Sequence, residues 1–152
     1  MRIYLDVSCL NRAFDDQTQT RIRLEAEATT IILERCELGE WQHVSSEMAT
    51  IEIAAMPDAE RRARVQLLLP SARSLLRLNE EIFTRAEALE TLGFKPADAA
   101  HVAAAEAIRA DVFLSCDDRL CRVAKRRADQ LSVKVANPVD WLREIGHDTD
   151  AG

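Results

Sequence analysis

One acid interrupts an apolar run near the start of the chain, and it limits what the rest can become. Ile3, Tyr4, Leu5 and Val7 are β-branched, aromatic or aliphatic, the composition of a strand buried on both faces of a parallel sheet. Asp6 falls inside that run. A carboxylate left unpaired there costs several kcal/mol, so it must meet a hydrogen-bond donor, a cation or a metal. In open α/β sheets ligands bind beyond the carboxyl ends of the strands, and Asp6, Ser8 and Asn11 are expected to project into that crevice. A cap on the turn after the strand would also account for Asp6.

The rest of the chain alternates helices and strands. Residues 19–38 carry Ile22, Leu24, Ala26, Ala28, Ile31, Ile32 and Leu33 among charges, which predicts a long helix stopped by Gly39. A strand is expected over 41–46. Ser46 then caps a helix over 47–56 that carries Glu52 and ends before Pro57. A third helix is predicted over 59–69, ended by Pro70, and 72–79 reads as an edge strand or an extended connector. Asn79 caps an amphipathic helix over 80–92 with Ile82, Phe83, Ala86 and Leu89 on its buried stripe, and Gly93 supplies the left-handed exit.

Pro96 opens an alanine-rich helix over 97–110, whose small side chains allow close packing on the sheet. Asp98 lies in its first turn, where the helix dipole favours negative charge by roughly 0.3–1 kcal/mol. His101, on the same face, reads as a packed or hydrogen-bonded histidine. A strand over 111–115 delivers Ser115, then Asp117 and Asp118, into the start of a helix rich in Arg and Lys. A strand over 133–136 and a helix from Pro138 complete the order. This succession predicts an α/β fold with a central parallel sheet of four to five strands, flanked by helices on both faces.

Composition narrows the function. A chain of 152 residues is expected to form one domain over 1–145, with 146–152 as a frayed tail. No run approaches the ~20 apolar residues of a membrane span and no signal peptide is evident, which places the chain in the cytoplasm without a membrane partner. The four cysteines lack a C-x-x-C spacing and read as small buried hydrophobes. The three histidines form no pair at metal-ligand spacing, which argues against zinc. A net charge of −6 argues against nucleic-acid binding through a basic surface alone.

Asp6, Glu52, Asp98 and Asp117 each lie at a strand's carboxyl end or on a helix starting from that side, so all four can face one crevice. Two carboxylates about 5 Å apart repel by roughly 3 kcal/mol at an effective dielectric of 20. Several such pairs require a countercharge. Oxygen donors without a Cys or His cluster favour Mg²⁺ or Mn²⁺, which commonly bind substrate phosphates. The chemistry that fits is phosphodiester hydrolysis, with the cation activating water and one carboxylate assisting its deprotonation.

Tyr4-Leu5-Asp6-x-Ser8, the Ser45-Ser46 strand end followed by Glu52, the Lys95-Pro96-Ala97-Asp98-Ala99-Ala100-His101 helix start, and Leu114-Ser115-x-Asp117 resemble, in order and spacing, the PIN-domain nucleases. The likeness is to the VapC-type toxins of bacterial toxin–antitoxin pairs in particular, and it spans nearly the whole chain. It implies a Rossmann-like sheet with the first strand central, a metal-dependent ribonuclease acting on RNA, an antitoxin partner and a homodimer. It also implies that Asp6, Glu52, Asp98 and Asp117 bind one or two Mg²⁺ or Mn²⁺ ions. Ser8, Asn11, Arg12 and Ser115 are the expected substrate-side residues, with Arg12 meeting an RNA phosphate or an acidic antitoxin segment.

Ser115 stands where the family usually has Thr, and Asp118 competes with Asp117 for the fourth position. A haloacid-type phosphatase would need Asp-x-Asp, and position 8 is Ser. A PIN-like module that binds RNA or a protein without cutting remains the alternative.

Overall fold

The computed structural model describes the backbone of residues 1–151 and the side chains of residues 1–146. Five strands form one parallel sheet in the order β3-β2-β1-β4-β5: β1 (Arg2–Leu5), β2 (Gln42–Ser46), β3 (Leu75–Leu76), β4 (Val112–Leu114) and β5 (Lys134–Ala136). β1 is central, as the family resemblance implied. The helices are α1 (Val7–Asn11), α2 (Thr20–Glu37), α3 (Glu47–Ala54), α4 (Ala59–Gln66), α5 (Glu80–Glu90), α6 (Pro96–Ala107), α7 (Asp118–Arg126) and α8 (Pro138–Ala151). The expected frayed tail, 146–152, falls almost entirely outside the residues described in full.

Strand alternation divides the core into two layers. Tyr4 and Phe113 turn to one face, where they meet Ala99, Ala103, Leu89 and Phe94 of the α5–α6 side. Ile3, Leu5, Val112 and Leu114 turn to the other, against Leu10, Ile32, Ile53 and Trp141. Because both faces are covered, strands of this kind read as continuous apolar runs. The alanine-rich α6 buries Ala99, Ala100, Ala103, Ala104 and Ala105, and packs against α5, α3, β2 and β4. Gly39 (φ +82°) and Gly93 (φ +114°) take the left-handed backbone after α2 and α5 that their positions predicted.

Several expectations need correction. Val7, read as part of the first strand, instead starts α1. Asp6 turns the chain: its N–H still bonds the Leu114 carbonyl at 2.8 Å, while its own carbonyl already accepts the Cys9 N–H at 2.9 Å. The ambiguous stretch 72–79 holds a short 3₁₀ turn (Ala72–Ser74) and a two-residue edge strand, β3. On α2 the buried stripe is Glu25, Ala28, Thr29 and Ile32, whereas Leu24 and Ile31 are 46% and 41% exposed. Phe83, placed on the buried stripe of α5, is 47% exposed. The cysteines are all free; Cys9 and Cys116 are buried, with sulfurs 3.6 Å apart, and Cys36 and Cys121 are half-buried.

Candidate active site

The carboxyl edge of the sheet collects the acids. Asp6 directly follows β1, and Asp117 lies three residues after the end of β4. Glu52 lies on α3, which starts where β2 ends, and Asp98 occupies the first turn of α6. Each local fold has a plain cause. Ser46 caps α3 by accepting the Met48 N–H at 3.1 Å, Pro96 opens α6, and Asp117 Oδ1 caps α7 by accepting the Leu120 N–H at 3.1 Å.

Asp6 is the most buried of the four, at 6% exposure. Its Oδ2 accepts hydrogen bonds from the hydroxyls of Ser8 (2.8 Å) and Ser115 (2.7 Å). Those hydroxyls in turn accept the N–H groups of Cys116 (3.0 Å) and Asp117 (3.1 Å). The orientation of Asp6 is therefore fixed through one oxygen, and Oδ1 is turned toward His101 Nε2, 4.0 Å away. Its side chain makes no helix cap, so the turn-cap account of Asp6 does not describe its carboxylate.

Glu52 Oε1 lies 2.8 Å from His101 Nε2. On the far side of the same ring, Nδ1 is 2.7 Å from the Tyr4 hydroxyl, which is itself 2.7 Å from Ser46 Oγ. His101, Tyr4 and Ser46 are fully buried. His101 is thus a buried, hydrogen-bonded histidine, as its place in α6 suggested. Asp6, Glu52 and His101 present one ligand atom each, all within 4.8 Å of one another.

The electrostatics set this edge apart. Burial first, then the charges of Asp6 and Asp117, push the Asp98 carboxyl up to about 6, with His101 opposing and Glu52 adding to the rise. Burial disfavours a charged His101, yet its bond to Glu52 and the charges of Asp6, Glu52 and Asp98 leave its proton affinity above the ordinary histidine value. Among the described residues, none of Asp6, Glu52, Asp98 and Asp117 forms an ion pair with Lys or Arg. Carboxylates gathered at one sheet edge without a paired lysine or arginine, Asp6 held by hydroxyls and Glu52 by a histidine, are a donor set that fits a hard divalent cation.

The other sequence-selected residues take different places. Asp118 is paired by both oxygens with Arg21, at 2.5 and 2.6 Å. Ser8 and Ser115 donate inward to Asp6. Asn11 Nδ2 donates to the Val7 carbonyl at 3.2 Å. Arg12 is held within the chain, Nε to Glu25 at 2.9 Å and a terminal nitrogen to Asp15 at 2.8 Å. A groove of about 1330 Å³ between α2, α7, β5 and α8 is lined by Arg21, Glu25, Arg122 and Lys125, and includes none of the four site acids.

Sequence reasoning did not find Glu25 or Tyr4. Glu25 is 1% exposed and accepts from Arg12, Arg21 and Asn137. Its spacing with Ala28, Thr29 and Ile32 is that of one helical face, and this signal was present in the sequence. Nothing local marked the Tyr4 hydroxyl, whose partners lie 42 and 97 residues away.

Among solved structures, the fold is similar to the crystal structure of FitAcB from Neisseria gonorrhoeae. The TM-score is 0.58 with 17% identity, over 90% of this chain and 97% of that one. A comparison with curated protein sequences returned no match. The family model of the PIN domain matches residues 3–126, which run from the second residue of β1 to the end of α7 and include all four acids. The chain belongs to the PIN-domain family.

Proposed function

We propose that this protein is a metal-dependent endoribonuclease of the VapC type, the toxin of a type II toxin–antitoxin pair. The observation that carries the reading is the set of four carboxylates at the carboxyl edge of the sheet, with no lysine or arginine paired to any of them among the described residues. The residue resemblance to VapC-type toxins supplies the rest: RNA as substrate, a proteinaceous antitoxin as partner and a homodimer as the working form.

Asp6, Glu52, Asp98 and Asp117 would hold one or two Mg²⁺ or Mn²⁺ ions, with Asp117 preferred over Asp118 because Arg21 already occupies the latter. When bound, such an ion supplies charge neutralisation at the scissile phosphate and lowers the proton affinity of a water. The chain's own residues do the positioning. Ser8 and Ser115 hold Asp6 Oδ2 so that Oδ1 faces the crevice, and His101 holds Glu52. Asp98, whose ionisation its neighbours oppose, gains most from a cation beside it. A carboxylate oxygen of this cluster accepts the proton of the attacking water while the crevice keeps the phosphodiester in line.

The test is cleavage of single-stranded RNA with Mg²⁺ or Mn²⁺, wild type against Asp6→Ala. Cutting that requires the metal and disappears in the variant is the expected result. RNA binding with no metal-dependent cutting would identify a non-catalytic PIN-like module instead.

A further inference from the structure

A buried polar chain ends on Glu52, and the metal reading by itself gives it no task. It starts at the Met48 N–H, which donates to Ser46 Oγ at 3.1 Å. Ser46 lies 2.7 Å from the Tyr4 hydroxyl, Tyr4 lies 2.7 Å from His101 Nδ1, and His101 Nε2 lies 2.8 Å from Glu52 Oε1. One direction of donation satisfies every member: Met48 N–H to Ser46, Ser46 O–H to Tyr4, Tyr4 O–H to His101 Nδ1, and His101 Nε2–H to Glu52. The chain is anchored in the rigid centre of the fold. Tyr4 is in the central strand, with its ring 5.2 Å from Phe113, and His101 sits edge-on to it at 5.7 Å.

Glu52 itself needs such support. It projects from the eight-residue helix α3, its side chain is 30% exposed, and among the described residues no serine or backbone group holds it in the way that Ser8 and Ser115 hold Asp6. Volume-matched apolar residues at positions 4 and 101 would fill this space without burying polar atoms. The geometry points to a positioning role: we propose that His101, fixed by Tyr4 and Ser46, aims the Glu52 carboxylate into the crevice so that it can bind a divalent cation. The proposal rests on the metal-binding reading above. It makes His101 a residue that acts through Glu52, not one that contacts the ion.

The experiment measures Mn²⁺ affinity calorimetrically on the intact protein, with circular dichroism and thermal melting as checks of folding, and follows RNA cleavage in parallel. His101→Phe is expected to weaken Mn²⁺ binding by 10- to 100-fold, the range typical of residues that orient a metal ligand. His101→Gln, whose amide can still donate to Glu52, should recover most of that loss. Tyr4→Phe removes one oxygen from the chain and should fall between them, and it decides the matter if His101→Phe does not fold. In a Glu52→Gln background, His101→Phe should cost nothing further, because the two act as one unit.

Wild-type affinity in a folded His101→Phe, or in Tyr4→Phe where His101→Phe does not fold, would overturn the positioning role alone. So would a full additional loss in the Glu52→Gln background, which would make His101 a ligand in its own right. Absence of Mn²⁺ binding by the wild type would overturn the metal reading together with this one.

Discussion

Two clusters of carboxylates flank α1, and they solve the same electrostatic problem in opposite ways. Glu25, Asp15 and Asp118 are balanced from within the chain. Glu25 receives Arg12, Arg21 and Asn137, Asp15 receives Arg12 and Arg61, and Asp118 receives Arg21. Burial raises the Asp15 carboxyl, but the bonds to Arg61 and Arg12 outweigh it and hold it below the ordinary carboxylate value. The Arg21 pairing holds Asp118 low as well. Asp6 receives two hydroxyls, Glu52 a histidine and Asp117 the Leu120 N–H, and among the described residues none of these, nor Asp98, receives a guanidinium or ammonium. Their repulsion shows in Asp98, raised to about 6 chiefly by burial and next by Asp6 and Asp117. A carboxylate cluster that brings its own cations is part of the scaffold. One that lacks them leaves room for a cation from solution, the reading proposed above.

The two clusters should respond to mutation in opposite currencies, activity for one and stability for the other. The largest expected effect is Asp6→Asn on RNA cleavage: removing the carboxylate charge at the best-held site oxygen should lower the rate on the order of a thousandfold, equivalent to several kcal/mol of barrier. Single-turnover kinetics check this, and the melting temperature should not fall.

Glu25→Ala should do the reverse. It strips one of the carboxylate partners from each of two guanidiniums, and the partner from Asn137, and should cost about 1–3 kcal/mol in urea denaturation, the lower end being favoured because Arg21 reaches solvent and Asp15 and Asp118 remain. Mn²⁺ affinity should be unaffected. A Glu25 variant that abolished metal binding while remaining stable would erase the distinction between the clusters.

A smaller, pH-dependent effect sharpens it. A carboxyl whose folded-state pKa is raised opposes folding once ionised. In the metal-free protein Asp98 should therefore cost stability as pH rises from its unfolded value near 4 through about 6, and the cost should be fully present at pH 7–8. Asp98→Asn should accordingly raise the metal-free melting temperature at pH 7.5 and leave it unchanged below pH 3.5. Thermal melts across that range, with a chelator present, check the sign. The smallest effect is expected for Asp118→Asn, an exposed partner of Arg21, which should leave both melting temperature and Mn²⁺ affinity within experimental error.

The parts of this arrangement that could be read from sequence are those governed by short range. Gly39, Gly93, Pro96 and Asn79 end or open helices through their own backbone and side-chain chemistry, so the element order followed from them. Asp6, Asp98 and Asp117 lie within a few residues of strand or helix ends, so topology alone carried them to one edge. What escaped depends on packing between distant segments. Tyr4 looked like a core aromatic, which it also is, and its hydroxyl acquires a partner only when α6 and β2 close around β1. Arg12 reads from sequence as a substrate-side cation, and only the packing of α2 against the segment after α1 brings Glu25 to it. Helical spacing placed Glu25 on the buried face, and a buried glutamate calls for a cation nearby.

Under the proposed function the unbalanced acids, and not the balanced ones, receive the ion. Crystals grown with Mn²⁺ and measured at the manganese absorption edge test it directly. The expected result is an anomalous peak bonded to Asp6 Oδ1 and shared with Glu52, Asp98 or Asp117. A map with no peak among these four carboxylates, or with its peak beside Glu25, Asp15 or Asp118, would contradict it.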